Sequence, residues 1–232
     1  MSERFLAILT GRQQVPIVET GASGKVQVKI KDNYLMVKGD FKKLSSPLIA
    51  SHFHNAGTGS NILPIEFELH PTLSQDGKSG TWNEKVPTHK KLTREEKEEL
   101  RTGNYYINVH SQDHLFTGEI RGQLLPYVKC GSQYICNLHD NIEIGTLMAT
   151  YNKNILTLSG AFSHLNSLFV SMSIFLKGEK LFSLNVKTDV PAASGTLTRE
   201  KNSFKISSAD NLRIVLKTVS GEISAPLIPL SF

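Results

Sequence analysis

The chain has 232 residues, of which 39% are hydrophobic and 20% charged, and it carries a formal net charge of +5. That length fits one large domain or two of the common size of roughly 100–150 residues, and the composition can bury a core. No apolar run approaches the ~18 residues of a membrane span. The positive charge is not gathered into a phosphate-binding stripe either. Lys90, Lys91, Arg94 and Lys97 are interleaved with Glu95, Glu96, Glu98 and Glu99, a self-neutralised face, and no nucleic acid is expected as a partner.

Read from its start, Met1-Ser2-Glu3-Arg4-Phe5 leads straight into strand-like sequence, with no basic region followed by an apolar stretch. No secretory signal is therefore expected, and synthesis in the cytoplasm with incorporation into a coat or particle is the expected history. Lys25–Ile30, Tyr34–Val37 and Tyr105–Val109 alternate apolar and polar residues between turn formers. Period-two patterning of this kind predicts antiparallel strands. One helix stands apart, where Thr93 followed by Glu96 forms a capping box and Leu100 closes the segment before Thr102-Gly103. Gly118–Gln123 predicts a strand on which alternation places Glu119 and Arg121 on one face, expected to be exposed, with a structural Glu–Arg pair as the alternative. Cys130 and Cys136 lie near the middle. They are close enough to bridge, while Cys136 in the run Tyr134-Ile135-Cys136 also suits a buried thiol. Leu168–Leu176, the longest apolar candidate, is broken by Ser171 and Ser173 and predicts another strand.

The chain repeats itself once. Gly24–Leu35 is echoed by Gly145–Leu156, and without a gap Gly39 meets Gly160, Phe41 meets Phe162 and Leu44 meets Leu165. Gly80-Thr81-Trp82 then matches Gly195-Thr196-Leu197, and Gly118-Glu119-Ile120 matches Gly221-Glu222-Ile223. Matches in order over most of each half predict two tandem domains, at residues 1–127 and 134–232, with a linker at 128–133. The expected fold class is all-β, as two antiparallel Greek-key β-sandwich or barrel domains with one short helix in the first.

Three stretches of the first repeat resemble the CHRD domain, the family named after chordin. They are Leu9-Thr10-Gly11-Arg12-Gln13-Gln14-Val15-Pro16; Ser51-His52-Phe53-His54-Asn55-Ala56-Gly57; and Gly103–His110 continued by Gly118-Glu119-Ile120-Arg121-Gly122-Gln123-Leu124. Gln14 stands where the family pattern has an acidic residue. The second repeat resembles the family only through the first and is a degenerate copy. The resemblance implies a fold and a binding or scaffolding role. In chordin these domains belong to an extracellular binder of bone morphogenetic proteins, but a shared fold does not carry that partner with it.

The chemical lead is a set of histidines. His52 and His54, two apart on a strand, point to one face, and His110 ends another predicted strand. Such a set is the beginning of a copper or zinc site. In the repeat alignment His52 falls on Ser173, His54 on Phe175 and His110 on Lys217, so all three are lost together. Alternatively, His52 and His54 satisfy backbone groups around the Gly57–Gly59 loop. Asn108, on the same side as His110, is expected to orient it, and Asp113 with His114 are the further residues a fuller ligand set would enlist. No G-x-S-x-G, P-loop or dinucleotide fingerprint is present, so an enzyme is not expected. The leading expectation is a non-catalytic binding or structural protein of a surface, coat or particle, with a protein partner or self-assembly. The alternative is a copper- or zinc-binding protein of superoxide-dismutase-like architecture.

Overall fold

In a computed structural model, the residues described are 3–57, 65–127, 131–140, 142–162, 165–188, 195–203 and 211–230. The chain divides into two compact units, Met1–Leu125 and Pro126–Phe232.

The first unit runs β1 (Arg4–Thr10), β2 (Ser23–Lys31), β3 (Tyr34–Lys42), β4 (Leu48–Asn55), β5 (Ile65–Leu69), β6 (Thr72–Leu73) and β7 (Gly80–Val86). It continues with α1 (Arg94–Thr102), β8 (Tyr105–Ser111), β9 (Ile120–Gln123) and β10 (Leu125–Pro126). The strand order is β5-β4-β8-β9-β1-β2-β3-β7-β6, with β10 on β1, and β1 through β9 pair antiparallel along it. One half, β1-β2-β3-β7-β6, is a meander extended by a returning strand. The other, β5-β4-β8-β9, is reached by crossovers, and Thr10–Arg121 pairing joins the halves. Their inner faces make one core. Phe5, Ala7 and Leu9 alternate along β1, Val26 and Val28 along β2, and Tyr105, Ile107 and Val109 along β8. Fully burying one large apolar side chain contributes ~1.5–3 kcal/mol, so this inner layer is what holds the two halves together.

The second unit runs β11 (Ser132–Asp140), β12 (Ile142–Asn152), β13 (Ile155–Phe162), β14 (Phe169–Leu176), β15 (Glu179–Leu184) and β16 (Lys187–Thr188). It closes with β17 (Gly195–Ser203), β18 (Leu212–Thr218), β19 (Glu222–Pro226) and β20 (Ile228–Pro229). Its sheets, β16-β17-β13-β12-β11-β20 and β15-β14-β18-β19, repeat the strand order of the first unit strand for strand. The β2–β3 hairpin turns through Asp32-Asn33 and its counterpart through Lys153-Asn154, all four residues left-handed, as a two-residue primed turn requires.

The glycines shared by the two halves acquire a physical role here. Phe41 pairs with Gly24 on one side and Gly80 on the other; Phe162 pairs in the same way with Gly145 and Gly195. A Cβ at Gly80 would lie 2.7 Å from the Phe41 ring, and one at Gly195 would lie 2.6 Å from the Phe162 ring. Each phenylalanine thus fills the space its glycine leaves.

The helix forms as its sequence predicts. The Thr93 hydroxyl accepts from Glu96 N at 3.1 Å, the Glu96 carboxylate accepts from Thr93 N at 2.7 Å, and Gly103 ends the helix with φ 82°. Leu100 is its buried anchor, and Arg101 clamps Glu3 through two bonds of 2.7 and 2.8 Å. Cys136 is fully buried with Sγ 3.7 Å from Ala225 O, while Cys130, and with it the bridge between them, lies outside the described residues.

Candidate functional site

The outer face of the β5-β4-β8-β9 half is where the motif residues of the sequence meet. In β4 and β8 the odd positions Phe53, Tyr105, Ile107 and Val109 turn into the core. The even positions His52, His54, Tyr106, Asn108 and His110 therefore share the opposite face. Alternation alone would make that face solvent-exposed, yet every one of these side chains is buried. The segment after β1 crosses over it. Gln14 Nε2 donates to Asn108 Oδ1 at 2.7 Å, and Gln13 Oε1 accepts from Gln123 N at 2.9 Å. Asn108 Nδ2 in turn donates to Thr117 O at 3.1 Å. Asn108 is thus committed to Gln14 and the β8–β9 connection and does not orient His110, contrary to the sequence expectation.

Register explains how the histidines converge. Ala50 pairs with His110, His52 with Asn108 and His54 with Tyr106 across β4 and β8, which makes His110 the diagonal neighbour of His52. His52 Nδ1 lies 2.9 Å from His54 Nε2, and the His52 ring centroid is 4.8 Å from those of His54 and His110. The ligating nitrogens of all three lie within 4.8 Å of one another. Exposure is 7% for His52, 3% for His54 and 8% for His110. The three open onto a cleft of about 330 Å³ rimmed by the exposed side chains of Ile49, Ile65, Leu115 and Phe116.

Electrostatics keep the His52 and His110 rings neutral. Burial, reinforced by the neighbouring His110 and His54, pushes the His52 pKa down to about 4. Burial also lowers that of His110, against the opposing pull of carbonyl contacts at Leu115 and His114. His110 Nδ1 lies 2.9 Å from Leu115 O; a carbonyl only accepts, so Nδ1 carries the proton and Nε2 presents a lone pair. That buried Nε2 has no hydrogen-bond partner. A buried acceptor left without a partner costs about 1–3 kcal/mol, which a bound cation would offset. Nitrogens on one zinc or copper ion at ~2.0–2.1 Å stand about 3.3 Å apart, inside the 4.8 Å that bounds the separations here, so small ring movements would bring the three onto one ion. The donor set fits such an ion. His70, His89, Asp113 and His114 are not part of the cluster; His70 lies exposed between Glu68 at 3.7 Å and Glu84 at 3.5 Å.

The expected exposure of Glu119 and Arg121 is corrected: they are 0% and 2% exposed. Nor do they pair. Glu119 precedes β9, and its carboxylate accepts from Thr20 Oγ1 at 2.6 Å, Ser45 Oγ at 2.9 Å, Ser111 Oγ at 2.6 Å and the Ser45 amide. Gly118, with φ 84°, makes this turn, and a Cβ there would collide with Asn108 Oδ1 and Gln14 Nε2. Arg121 covers the Tyr106 ring, its Cζ 3.6 Å from the centroid, and Tyr106 stacks on His54 at 4.8 Å and 17°. Arg121 also donates to Gly57 O at 3.1 Å, and Gln123 Nε2 donates to Ala56 O at 2.9 Å. These two side chains hold the described start of the loop that His52 and His54 were expected to satisfy; the remainder, 58–64, lies outside the described residues. Sequence reasoning missed Tyr106, Arg121 and Gln123 as parts of the site. Tyr106 shares strand parity with Asn108 and His110, which was an available signal, whereas Arg121 and Gln123 join the face through the β8–β9 register, opposite Asn108 and Tyr106.

In the second unit the same register pairs Ser171 with Lys217, Ser173 with Val215 and Phe175 with Arg213. No histidine stands at any of these places.

The outer sheet face of this all-β unit thus carries a buried polar layer under a cleft. The family model described as the CHRD domain matches residues 5–124, and the chain belongs to that family. No curated protein and no solved structure matches it. No helix among the described residues is long and apolar enough to cross a membrane.

Proposed function

We propose that the chain is a non-catalytic binding protein whose first domain takes a copper or zinc ion at His52, His54 and His110. One observation carries this reading: the buried Nε2 of His110, fixed as an acceptor by Leu115 O, has no partner and sits beside the imidazoles of His52 and His54. Imidazole is a good ligand for either metal, and neutral rings need lose no proton to bind it. Elemental analysis of the purified protein, with copper and zinc titrations of the wild type and of a His52→Ala/His54→Ala variant, tests it. Near-stoichiometric metal in the wild type, lost in a variant that keeps its β-sheet circular dichroism, is the expected result. A folded wild type that takes up neither metal overturns it.

A second reading, assembly into a surface layer, coat or particle, is favoured by exposed apolar side chains at matching places in the two units. Phe116 is 90% exposed, beside Ile49 and Leu115. In the second unit Leu168, Val170 and Val219 are exposed, and Val219 N donates to Leu168 O as Gln112 N does to Pro47 O. Exposed apolar side chains at one such spot suit contact with protein. Light scattering across a concentration series should show association weakened by Phe116→Asp. A strict monomer at every concentration counts against self-assembly.

A further inference from the structure

We infer that the ion selected at His52, His54 and His110 is Cu(I), in preference to Zn(II) or Cu(II). This deepens the metal-binding reading above and rests on it.

The charge of the donor set is the first argument. Among the described residues the cluster consists of three imidazoles and contains no carboxylate or thiolate. The loop segment Thr58-Gly59-Ser60-Asn61-Ile62-Leu63-Pro64, which follows β4, has no acidic residue or cysteine in its sequence. The polar side chains beside the histidines, Asn108 and Gln14, are both amides and are bonded to each other. A bound ion therefore keeps its full charge, because none of these groups neutralises it.

Burial makes that charge costly. The three rings are 3–8% exposed, and the cleft above them has an apolar rim. The cost of moving an ion out of water rises with the square of its charge, so a divalent ion pays roughly four times what a monovalent one does. A fixed cation adds to this. Arg121 holds its guanidinium 3.6 Å from the Tyr106 ring, which stacks on His54, and its charge repels a divalent ion twice as strongly as a monovalent one. Coordination number points the same way. Two or three imidazoles satisfy Cu(I), whereas zinc takes four ligands and would have to hold water or an anion under the apolar rim.

Glu68 is the group against which the inference must be tested. The β4–β5 register sets it opposite His52, but its carboxylate is turned toward His70 at 3.7 Å and is largely exposed. If it swung in, it would supply the missing negative charge and favour a divalent ion.

The experiment is an anaerobic competition of the full chain against a chromophoric Cu(I) chelator, beside separate Zn(II) and Cu(II) titrations. It is run on the wild type, His110→Ala and Glu68→Gln, each checked by circular dichroism. The wild type is expected to withdraw one equivalent of Cu(I) and to hold it at least about tenfold tighter than Zn(II). His110→Ala should weaken Cu(I) binding by about 10–100-fold, and Glu68→Gln should leave it unchanged. Zn(II) or Cu(II) binding as tight as Cu(I), or weakened by Glu68→Gln, overturns the selection while leaving a metal site standing. A folded protein that binds none of the three ions overturns both.

Discussion

The guanidinium carbon of Arg121 lies 3.6 Å from the centroid of the Tyr106 ring, and both residues are buried behind the histidine cleft. A planar guanidinium can stack on an aromatic face and still donate in its own plane, here to Gly57 O and Gln123 Oε1. Lysine keeps the charge but not the plane. Arg121→Lys is expected to destabilise the first domain by about 2 kcal/mol, measured as a lowered urea midpoint. An unchanged midpoint would show that the stack contributes nothing.

Glu119 is a fully buried carboxylate whose neighbours are hydroxyls and an amide. Burial alone would raise its pKa. Hydrogen bonds from Ser111, Thr20 and Ser45 outweigh that and hold it below the usual carboxylate value. The sign follows directly. The ionised form is favoured by folding, so its contribution is complete above the ordinary carboxylate range and is lost as pH falls through the lowered value. Glu119→Gln should cost about 2 kcal/mol at neutral pH and flatten the acid limb of the stability curve below about pH 4.5. A parallel limb in the variant would assign the acid sensitivity elsewhere.

In the metal-free protein His52 acts over a different interval. Its folded pKa of about 4 lies below the unfolded value near 6.5, so the unfolded chain takes up the proton first. Stability should therefore be flat above pH ~6.5 and fall as pH drops from there toward about 4, by at most about 3 kcal/mol. Chemical denaturation of the wild type and His52→Gln at pH 7, 5.5 and 4.5 measures it. Equal losses in both proteins would remove His52 as the cause.

The helix between β7 and β8 rests on one apolar contact, Leu100. Leu100→Ala should cost about 2–5 kcal/mol through the cavity it leaves. Thr93→Ala removes the capping box alone and should cost only about 1 kcal/mol. The ratio matters more than either value, because it separates packing from local helix stability. Equal losses would mean that the helix is held by its cap.

The polar layer over β4 and β8 marks the limit of what could be read without coordinates. His52 and His54 fall on one face because two residues along a strand always do, His110 joins them as the end of another predicted strand, and the repeat comparison groups the three because they are lost together. The orientation of its Nε2 was not legible, since it depends on the carbonyl of Leu115, five residues away across a turn. Glu119 and Arg121 were misplaced for a related reason. Alternation marks a polar side chain as outward-facing, but it cannot show that Gln13 and Gln14 return from more than ninety residues away to cover that face.

Strand positions, the two-residue turns and the capped helix are local properties, set by side-chain period, by the left-handed preference of Asn and by glycine beside Phe41 and Phe162. The amino-acid order alone determined them. Which polar residues are buried together, and which nitrogen among three histidines is left with a lone pair and no partner, depends on segments brought over the sheet from far along the chain. Only the tertiary structure decided that, because desolvation and hydrogen bonding are settled by whatever lies above a side chain in space.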